Sequence, residues 1–285
     1  VIGRNQNCWS ECKVNFLEEE GGYLVRRLSG GGAVFHDLGN LNFTFIVKKK
    51  DYDVSKQLDV ILEAVRSLGL KAERTGRNDI TVDGRKFSGN AFYHSGDCCY
   101  HHGTVLLNAD KEYMSRYLNV PKEKLESKGV SSVKARVANL CEFCPDLTVG
   151  RMKEALVGAF SRVYGLEAER MYESSLPEDQ IGTMTGKFES WEWKYGRKIP
   201  FEYEMGRRFS WGGIQMQFHV DEGKIREVNV FSDAMEQEMI GDLAVCLKGC
   251  PYDEAAVCGG MEKVGRAHGE GAKISDIITL VKECM

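Results

Sequence analysis

The 285-residue sequence lacks a long apolar run, a strong excess of positive charge and any low-complexity stretch. No segment is apolar over the length needed to cross a membrane, so we expect no membrane association. The formal net charge is −4, which argues against nucleic-acid binding as the main function. A secretory signal pattern is also missing from the first residues. We therefore expect a cytoplasmic protein whose thiols stay reduced.

The most informative segment, residues 26–40, lacks the signatures of the common phosphate-binding loops. No Gly-Lys-Ser/Thr closes it, and it does not contain the spacing of a dinucleotide fingerprint. It contains instead Arg26 and Arg27 followed by three consecutive glycines at residues 30–32. Glycine backbone can approach a ligand closely, and its N–H groups can form an anion-binding concavity. The pattern predicts a loop for an anionic ligand, with a hairpin turn and solvated arginines as the alternative.

A second informative segment surrounds Lys86. Residues 80–82 have the composition of a strand, and Asp83-Gly84 is a strong signal for a two-residue hairpin turn. Lys86 then lies near the start of the returning strand, followed by Ser88 and Gly89. These residues alone predict a solvated lysine at the end of a strand.

Ten cysteines are present, and their spacing gives weak evidence for metal binding. Cys141 and Cys144 form a CxxC pair, but zinc sites of this type usually need a second pair. A group formed by Cys246, Cys250 and Cys258, with His268 beyond it, is weaker still. We expect both groups to be structural.

Four segments together resemble the lipoate–protein ligase A family. The first is that family's RRxSGGGxVxHDxGNxNxxF signature, of which nearly every defined position is kept from Arg26 to Phe43. The others resemble its NDxxxxGrKxSGxA segment around Lys86, its HHGTLL segment at residues 101–107, and its KGxxSVxxRVxNL segment at residues 128–140. They occur in the same order as in that family, and the resemblance extends over nearly the whole chain.

The resemblance implies an α+β fold with two domains. Residues 1–198 would form a biotin/lipoate ligase-type catalytic domain, with a class II synthetase-like mixed sheet and helices. Residues 206–285, preceded by WEWxxG and opening on FxWGG, would form a small α+β C-terminal accessory domain. In the resembled family an opening helix and strand precede the segment that matches residues 1–7, so we expect the N-terminal start to be missing.

The resemblance also implies a reaction. ATP, with Mg2+, would activate lipoate as lipoyl-AMP, and a lysine of a lipoyl carrier domain would then take the acyl group. The implied partners are the carrier domains of 2-oxoacid dehydrogenases and the glycine cleavage carrier protein, with no nucleic acid or membrane involved. Octanoate is expected to be a poorer substrate.

The same resemblance implies a role for each matching residue. Lys86 would be the catalytic residue because it would contact both the ligand carboxylate and the nucleotide phosphate. ATP would be bound by Arg27, Gly32, Ala33, Val34, Phe35 and Lys86. Lipoate would be bound by Arg26, Ser29, Gly30, Gly31, His36, Asn40, Lys86, Ser88, Gly89 and His102. A lid over the adenylate would include Lys128, Gly129, Ser132, Val133 and Arg136. Asp79 is the candidate Mg2+ ligand.

Two alternatives remain at this stage. The first is an ATP-independent lipoyl or octanoyl transferase that forms a thioester on Cys141 or Cys144. The second is a non-catalytic module that binds the carrier or the ligand. The lid segment and the accessory domain argue against the first, and the retention of Lys86 with the complete arginine–glycine loop argues against the second.

Overall fold

The computed structural model describes residues 1–75, 79–119, 137–196 and 199–285, which form two compact units. One unit is Val34–Met184, and the other joins Val1–Ala33 to Thr185–Met285. The domain boundaries proposed from motifs, 1–198 and 206–285, stay a prediction. Within the described ranges, no helix is both long and apolar enough to span a membrane.

The unit Val34–Met184 is built on a five-stranded antiparallel sheet with the strand order β1-β5-β4-β3-β2. Its strands are β1 (Asn40–Lys48), β2 (Ala72–Thr75), β3 (Asp79–Val82), β4 (Arg85–Ser95) and β5 (Cys98–Leu106). The predicted hairpin turn between β3 and β4 is confirmed. Asp83 and Gly84 have φ values of 48° and 72°, the left-handed conformation that a tight hairpin requires.

Ten helices are described in the two units together, with short 3-10 turns between some of them. They are α1 (Cys8–Glu11), α2 (Val14–Glu19), α3 (Val54–Ser67), α4 (Lys111–Tyr117), α5 (Val149–Tyr164), α6 (Glu178–Glu189), α7 (Trp191–Tyr195), α8 (Gln237–Leu247), α9 (Glu254–His268) and α10 (Gly271–Cys284).

Helices α3 and α5 supply the apolar core beneath the five-stranded sheet, as their sequence periodicity predicts. Leu58, Ile61 and Val65 of α3 are buried in a cluster with Met152 of α5 and Phe87 of β4. Each such side chain contributes about 1.5–3 kcal/mol on burial. One face of the sheet is thereby filled, so the opposite face is the one available for chemistry.

The C-terminal part of the other unit has its own sheet and core. Strands β6 (Tyr203–Phe209), β7 (Gly212–Asp221) and β8 (Lys224–Ser232) form an antiparallel sheet in that order. Helices α8, α9 and α10 pack on it around buried side chains such as Met216, Phe218 and Ile277. The sequence predicts a hairpin over residues 214–230, from alternating apolar residues on either side of a turn, and helices over residues 235–284; both predictions are confirmed.

The structure differs from expectation near the N-terminus. The apolar positions Val14, Phe16 and Leu17 predict a single helix over residues 8–20. In the structure Cys12 is extended, with φ −138° and ψ 147°, and separates α1 from α2. The Cys12 side chain is 5% exposed, and its burial competes with a continuous helix. The composition of residues 23–25 predicts a short strand. The structure has no strand there, and an isolated parallel bridge joins Ile2 to Arg26.

The α+β class is confirmed. Among the described strands every pairing is antiparallel, and isolated parallel bridges join Ile2 to Arg26 and Lys86 to Val137.

Candidate active site

Lys86 is placed by a β-bulge in strand β4. Ile80 pairs with Ser88, and Thr81 pairs with Lys86. Phe87 is therefore an extra residue of β4 that no residue of β3 faces in the pairing. In a regular strand, residues three apart point to opposite faces. The bulge brings Lys86 onto the face of Gly89 instead. A Cβ atom on Gly89 would lie 2.9 Å from Lys86 Nζ, so the ammonium group lies directly over this glycine.

Asp79 completes this arrangement from the neighbouring strand. It pairs with Gly89 across β3 and β4, and its Oδ1 atom lies 2.6 Å from Lys86 Nζ. The two side chains are 24% exposed for Lys86 and 16% for Asp79. A largely desolvated ion pair of this kind fixes the position of the ammonium more firmly than a surface pair does.

The adjacent histidines of β5 have different environments because strand residues alternate between faces. His102 is half-buried and pairs with Ala91 and Thr44 on the face that carries Gly89. His101 is fully buried in the core, with its Nε2 atom 2.8 Å from Asn90 Oδ1. Burial, and then the charge of His102, lower the pKa of His101 to about 4. His101 is therefore neutral at pH 7 and lies outside the candidate site.

Ser88 lies on the other side of the sheet from Lys86. It pairs with Val105 and Ile80, which both belong to the apolar core, and its hydroxyl is buried. Its predicted contact with lipoate is not tested by this placement and stays a prediction.

Asn40 and Asp37 shape the end of the signature before β1. Asp37 accepts hydrogen bonds from the backbone N–H groups of Gly39 at 2.8 Å and Asp110 at 2.7 Å. Asn40 Oδ1 accepts one from the Asp37 N–H at 3.1 Å, while its Nδ2 is buried without a hydrogen-bond partner among the described residues. A buried amide donor in that condition is a candidate ligand contact. His36, in the same segment, is half-buried.

Phe35, half-buried like Val34, anchors its segment through aromatic packing. Its ring stacks on Tyr117 of α4 at a centroid distance of 5.9 Å and packs against a small cluster that includes Leu106 and Val137. The backbone predicted to accompany the nucleotide is therefore fixed by an apolar contact.

The glycine loop, residues 30–32, belongs to the unit that joins Val1–Ala33 to Thr185–Met285. The Arg27 side chain folds back onto this loop. The Arg27 guanidinium donates to Ser29 Oγ at 3.1 Å and to the carbonyl oxygens of Gly30 at 2.7 Å and Gly32 at 2.9 Å. The last residue of this unit's N-terminal part is Ala33, which is half-buried. These contacts hold a cationic group at the centre of the predicted anion-binding loop.

The glycines of this loop are needed for contacts between backbones. Gly31 has φ +87° and donates its N–H to the Ala234 carbonyl at 3.0 Å. A Cβ on Gly30 would lie 2.4 Å from that same oxygen, and a Cβ on Gly3 would lie 2.1 Å from the Gly31 oxygen. No side chain fits at either position. Because Ala234 is far away in sequence and contributes only its backbone, its role had no local sequence signal.

Arg26 is buried, at 6% exposed, and its guanidinium is engaged by backbone carbonyls. The acceptors belong to the segments around Gly3 and Trp193 of the same unit. The adjacent arginines of the signature thus have different partners, which their sequence does not indicate.

The segment between residues 120 and 136 lies outside the described residues, and with it the predicted lid residues Lys128, Gly129, Ser132, Val133 and Arg136. The chain continues at Val137, which forms a parallel bridge with Lys86, and the Ala138 N–H donates to the Lys86 carbonyl at 2.8 Å. Asn139 and Glu142 then form a capping box. The end of the predicted lid is therefore attached next to Lys86.

The cysteines do not form an evident reactive centre. All ten thiols are free, and Cys141 Sγ donates to the Leu147 carbonyl at 3.2 Å. Burial, and then the neighbouring Cys144, raise the pKa of the Cys141 thiol, which disfavours the nucleophilic thiolate. Among the described side chains, no three His, Cys, Asp or Glu residues cluster as metal ligands do.

Comparison with known families accounts for both parts of the chain. Residues 1–161 match the lipoyl protein ligase A/B catalytic domain, and residues 198–281 match the bacterial lipoate protein ligase C-terminus. A lipoate-protein ligase A from Psychrobacter cryohalolentis is 40% identical over 286 residues, covering 97% of this chain and 84% of that protein. The chain belongs to the lipoate–protein ligase A family.

Solved structures of lipoate ligases have the same fold. P. falciparum LipL1, solved in complex with lipoate, has a TM-score of 0.82 at 30% identity, covering 98% of this chain and 83% of that one. A lipoate-protein ligase A bound with ATP has a TM-score of 0.58 at 26% identity, covering 68% of this chain and 81% of that one. The predicted family, the ligase-type α+β fold and the enzyme class are thereby confirmed.

Proposed function

We propose that this lipoate–protein ligase activates lipoate with ATP on the sheet face that carries Lys86. The observation that supports this most directly is the Lys86 ammonium, held over Gly89 and 2.6 Å from Asp79. Joining a carboxylate to ATP brings two anions together, and a fixed ammonium between them offsets their repulsion. Because the bulge and the glycine set its position in advance, little reorganisation is needed during the reaction.

The reaction has two steps. In the first, a lipoate carboxylate oxygen attacks the α-phosphorus of ATP, pyrophosphate leaves, and lipoyl-AMP forms. In the second, a neutral lysine amine of the acceptor protein attacks the acyl carbon, AMP leaves, and the amine loses a proton as the amide forms. We assign Lys86 to the first step as the group that stabilises charge on the phosphoryl oxygens.

The nucleotide contacts are assigned to Arg27, Gly32, Ala33, Val34, Phe35 and Lys86. Arg27 supports this assignment because its charged guanidinium is already held against the loop carbonyls of Gly30 and Gly32. Lipoate is assigned to the residues of the signature and of strands β4 and β5 that the resemblance implies, except Arg26, whose guanidinium is bonded to backbone carbonyls. The set is Ser29, Gly30, Gly31, His36, Asn40, Lys86, Ser88, Gly89 and His102.

Asp79 is the residue that we assign to Mg2+: its carboxylate would hold the ion, which would neutralise charge on the nucleotide. Its carboxylate oxygen is a hard ligand of the type Mg2+ prefers, and it already faces a cation, Lys86. One carboxylate with substrate phosphates is a common magnesium arrangement. Before substrates bind, Asp79 would pair with the Lys86 ammonium. Once they are bound, both side chains would lie beside the nucleotide phosphates.

We propose residues 128–136 as the lid that excludes water from the adenylate. The attachment of Val137 and Ala138 to Lys86 supports this because it anchors the end of that segment beside the reacting groups. The acceptors we propose are lipoyl carrier domains of 2-oxoacid dehydrogenases or of glycine cleavage, in the cytoplasm. Because the Cys141 pKa is raised, a thioester route through this residue is disfavoured.

The test is pyrophosphate release from ATP with and without lipoate. Wild type should release pyrophosphate only when lipoate is present, and Lys86→Ala should lower the rate about 100- to 1,000-fold. Lys48→Ala is the matched control because it removes another Lys–Asp pair of the same sheet, the one with Asp97 at 3.5 Å. Lipoate-dependent release that survives unchanged in Lys86→Ala would contradict the assignment of Lys86.

A further inference from the structure

The Arg26 side chain makes an unusual set of contacts with the backbone. Its Nε donates to the Trp193 carbonyl at 2.8 Å and the Lys194 carbonyl at 3.2 Å, and Lys194 also accepts from NH2 at 3.0 Å. Its NH1 donates to the carbonyls of Gly3 at 3.2 Å, Arg4 at 3.0 Å and Gln6 at 2.6 Å. One guanidinium thus joins two segments that are far apart in sequence.

Trp193 returns a bond to the same residue. Its indole Nε1 donates to the Arg26 carbonyl at 2.8 Å, so the side chain of each residue is bonded to the backbone of the other. The Arg4 guanidinium lies 4.2 Å from the centre of the Trp193 ring and adds a cation–π contact between the same two segments.

The segment that Arg26 fixes is in turn bonded to the glycine loop. The Arg4 N–H donates to the Ser29 carbonyl at 2.9 Å, and the Arg27 N–H donates to the Ile2 carbonyl at 3.0 Å. The Gly3 Cα also lies so close to Gly31 that a Cβ atom would be 2.1 Å from the Gly31 oxygen. A displacement of residues 3–6 would therefore be transmitted to Ser29, Gly31 and Arg27.

We propose that Arg26 is a positioning residue that sets the geometry of the glycine loop and does not bind lipoate itself. The role replaces the lipoate contact that the family resemblance implies for this arginine. It rests on the proposed function in one respect, the assignment of Arg27 to ATP and of Ser29 and Gly31 to lipoate. A planar guanidinium reaches five carbonyls along two segments, whereas a lysine ammonium presents its donors from a single point.

The experiment is a double-mutant cycle in lipoate-dependent pyrophosphate release, with KM measured separately for ATP and lipoate. Arg26→Lys should raise the KM for ATP about tenfold or more through Arg27, and it should also raise the KM for lipoate through Ser29 and Gly31. Trp193→Phe removes the indole donor but keeps an aromatic ring beside Arg4, and should raise the KM for ATP by a smaller factor. Because both substitutions disturb the same set of hydrogen bonds, the KM for ATP of the double variant should rise by less than the product of the two single effects.

Different results would overturn the proposal. If Arg26→Lys raises the KM for lipoate and leaves that for ATP unchanged, Arg26 is a lipoate ligand. Effects of the two substitutions that multiply independently would also exclude a shared positioning role. Should Arg26→Lys fail to fold, Trp193→Phe alone decides, since an unchanged KM for ATP would contradict the proposal. Failure of the proposed function is distinguishable, because wild type itself would then release no pyrophosphate with lipoate.

Discussion

Lys86 and Asp79 lie on neighbouring strands and form an ion pair of 2.6 Å over a residue that has no side chain, Gly89. The pair places a cation and an anion at one point of the sheet face opposite the apolar core. Each of the three residues can be altered without removing an apolar core side chain, so the site can be tested separately from the fold.

Asp79→Asn tests whether this carboxylate serves magnesium. The amide keeps the shape but loses the charge, so we expect the Mg2+ concentration for half-maximal pyrophosphate release to rise about tenfold, equivalent to about 1.4 kcal/mol. Asp97→Asn, which removes the carboxylate of the Lys48 pair, is the control. A loss of rate that is equal at every Mg2+ concentration would mean that Asp79 acts only by holding Lys86.

Gly89→Ala tests the space beneath the ammonium. The added Cβ would lie 2.9 Å from Lys86 Nζ and 3.0 Å from Lys86 Cε, so the flexible end of the lysine must move. We expect pyrophosphate release to fall about 100-fold, since small displacements of a catalytic group are costly. Thermal unfolding should show a change in the free energy of unfolding within about 1 kcal/mol.

Gly241→Ala provides the control for this substitution because a Cβ at that helical position meets nothing within 4 Å. It should keep full activity. A Gly89→Ala variant that is equally active would show that the position of the Lys86 ammonium does not limit adenylation.

His101 predicts a pH-dependent stability. Its pKa is lowered by burial from 6.5 to about 4 in the folded state, so the unfolded state binds more protons between these values. Protonation of His101 therefore leaves the free energy of unfolding unchanged above about pH 6.5 and lowers it as the pH falls towards 4, by about 3 kcal/mol in all.

Urea unfolding at several pH values measures this effect. His101→Gln keeps an amide donor for Asn90 but cannot titrate, and should flatten the dependence between pH 4 and 6.5. An unchanged slope in His101→Gln would show that other groups cause it.

Cys141 and Cys144 distinguish the ligase from a thioester-forming transferase. The double variant Cys141→Ser/Cys144→Ser should keep ATP-dependent lipoylation within about twofold, because the reaction needs no covalent enzyme nucleophile. The measurement is transfer of lipoate to a lipoyl carrier domain, with and without ATP. Transfer that requires the thiols and does not require ATP would contradict the ligase assignment.

More of the fold than of the site geometry could be predicted from the sequence. Helix α3, the Asp83-Gly84 turn and strands β7 and β8 follow from local periodicity and turn chemistry, so they could be predicted. Lys86 was identified by resemblance, whereas the bulge that brings it over Gly89 depends on the pairing of β4 with β3. Pairing register is a tertiary property that no local pattern specifies.

The contacts of Arg26 show the same limit. Its acceptors at Trp193 and Lys194 follow it by 167 and 168 residues, a relationship that no motif around the glycines expresses. The break between α1 and α2 likewise arises because Cys12 is buried by tertiary contacts, which overrides local helix preference.

Variants of Gly89 and of Gly30 should differ in whether a second mutation elsewhere can restore their activity. At Gly89 the obstacle to a side chain is the movable end of Lys86, so a change elsewhere could restore activity by redirecting that lysine. At Gly30 the obstacles are the carbonyl oxygens of Ala234 and Met235, which every amino acid possesses. No replacement of those side chains would make room. We therefore expect suppressor mutations to be recoverable for Gly89→Ala, and substitutions of Gly30 to resist suppression from positions 234 and 235.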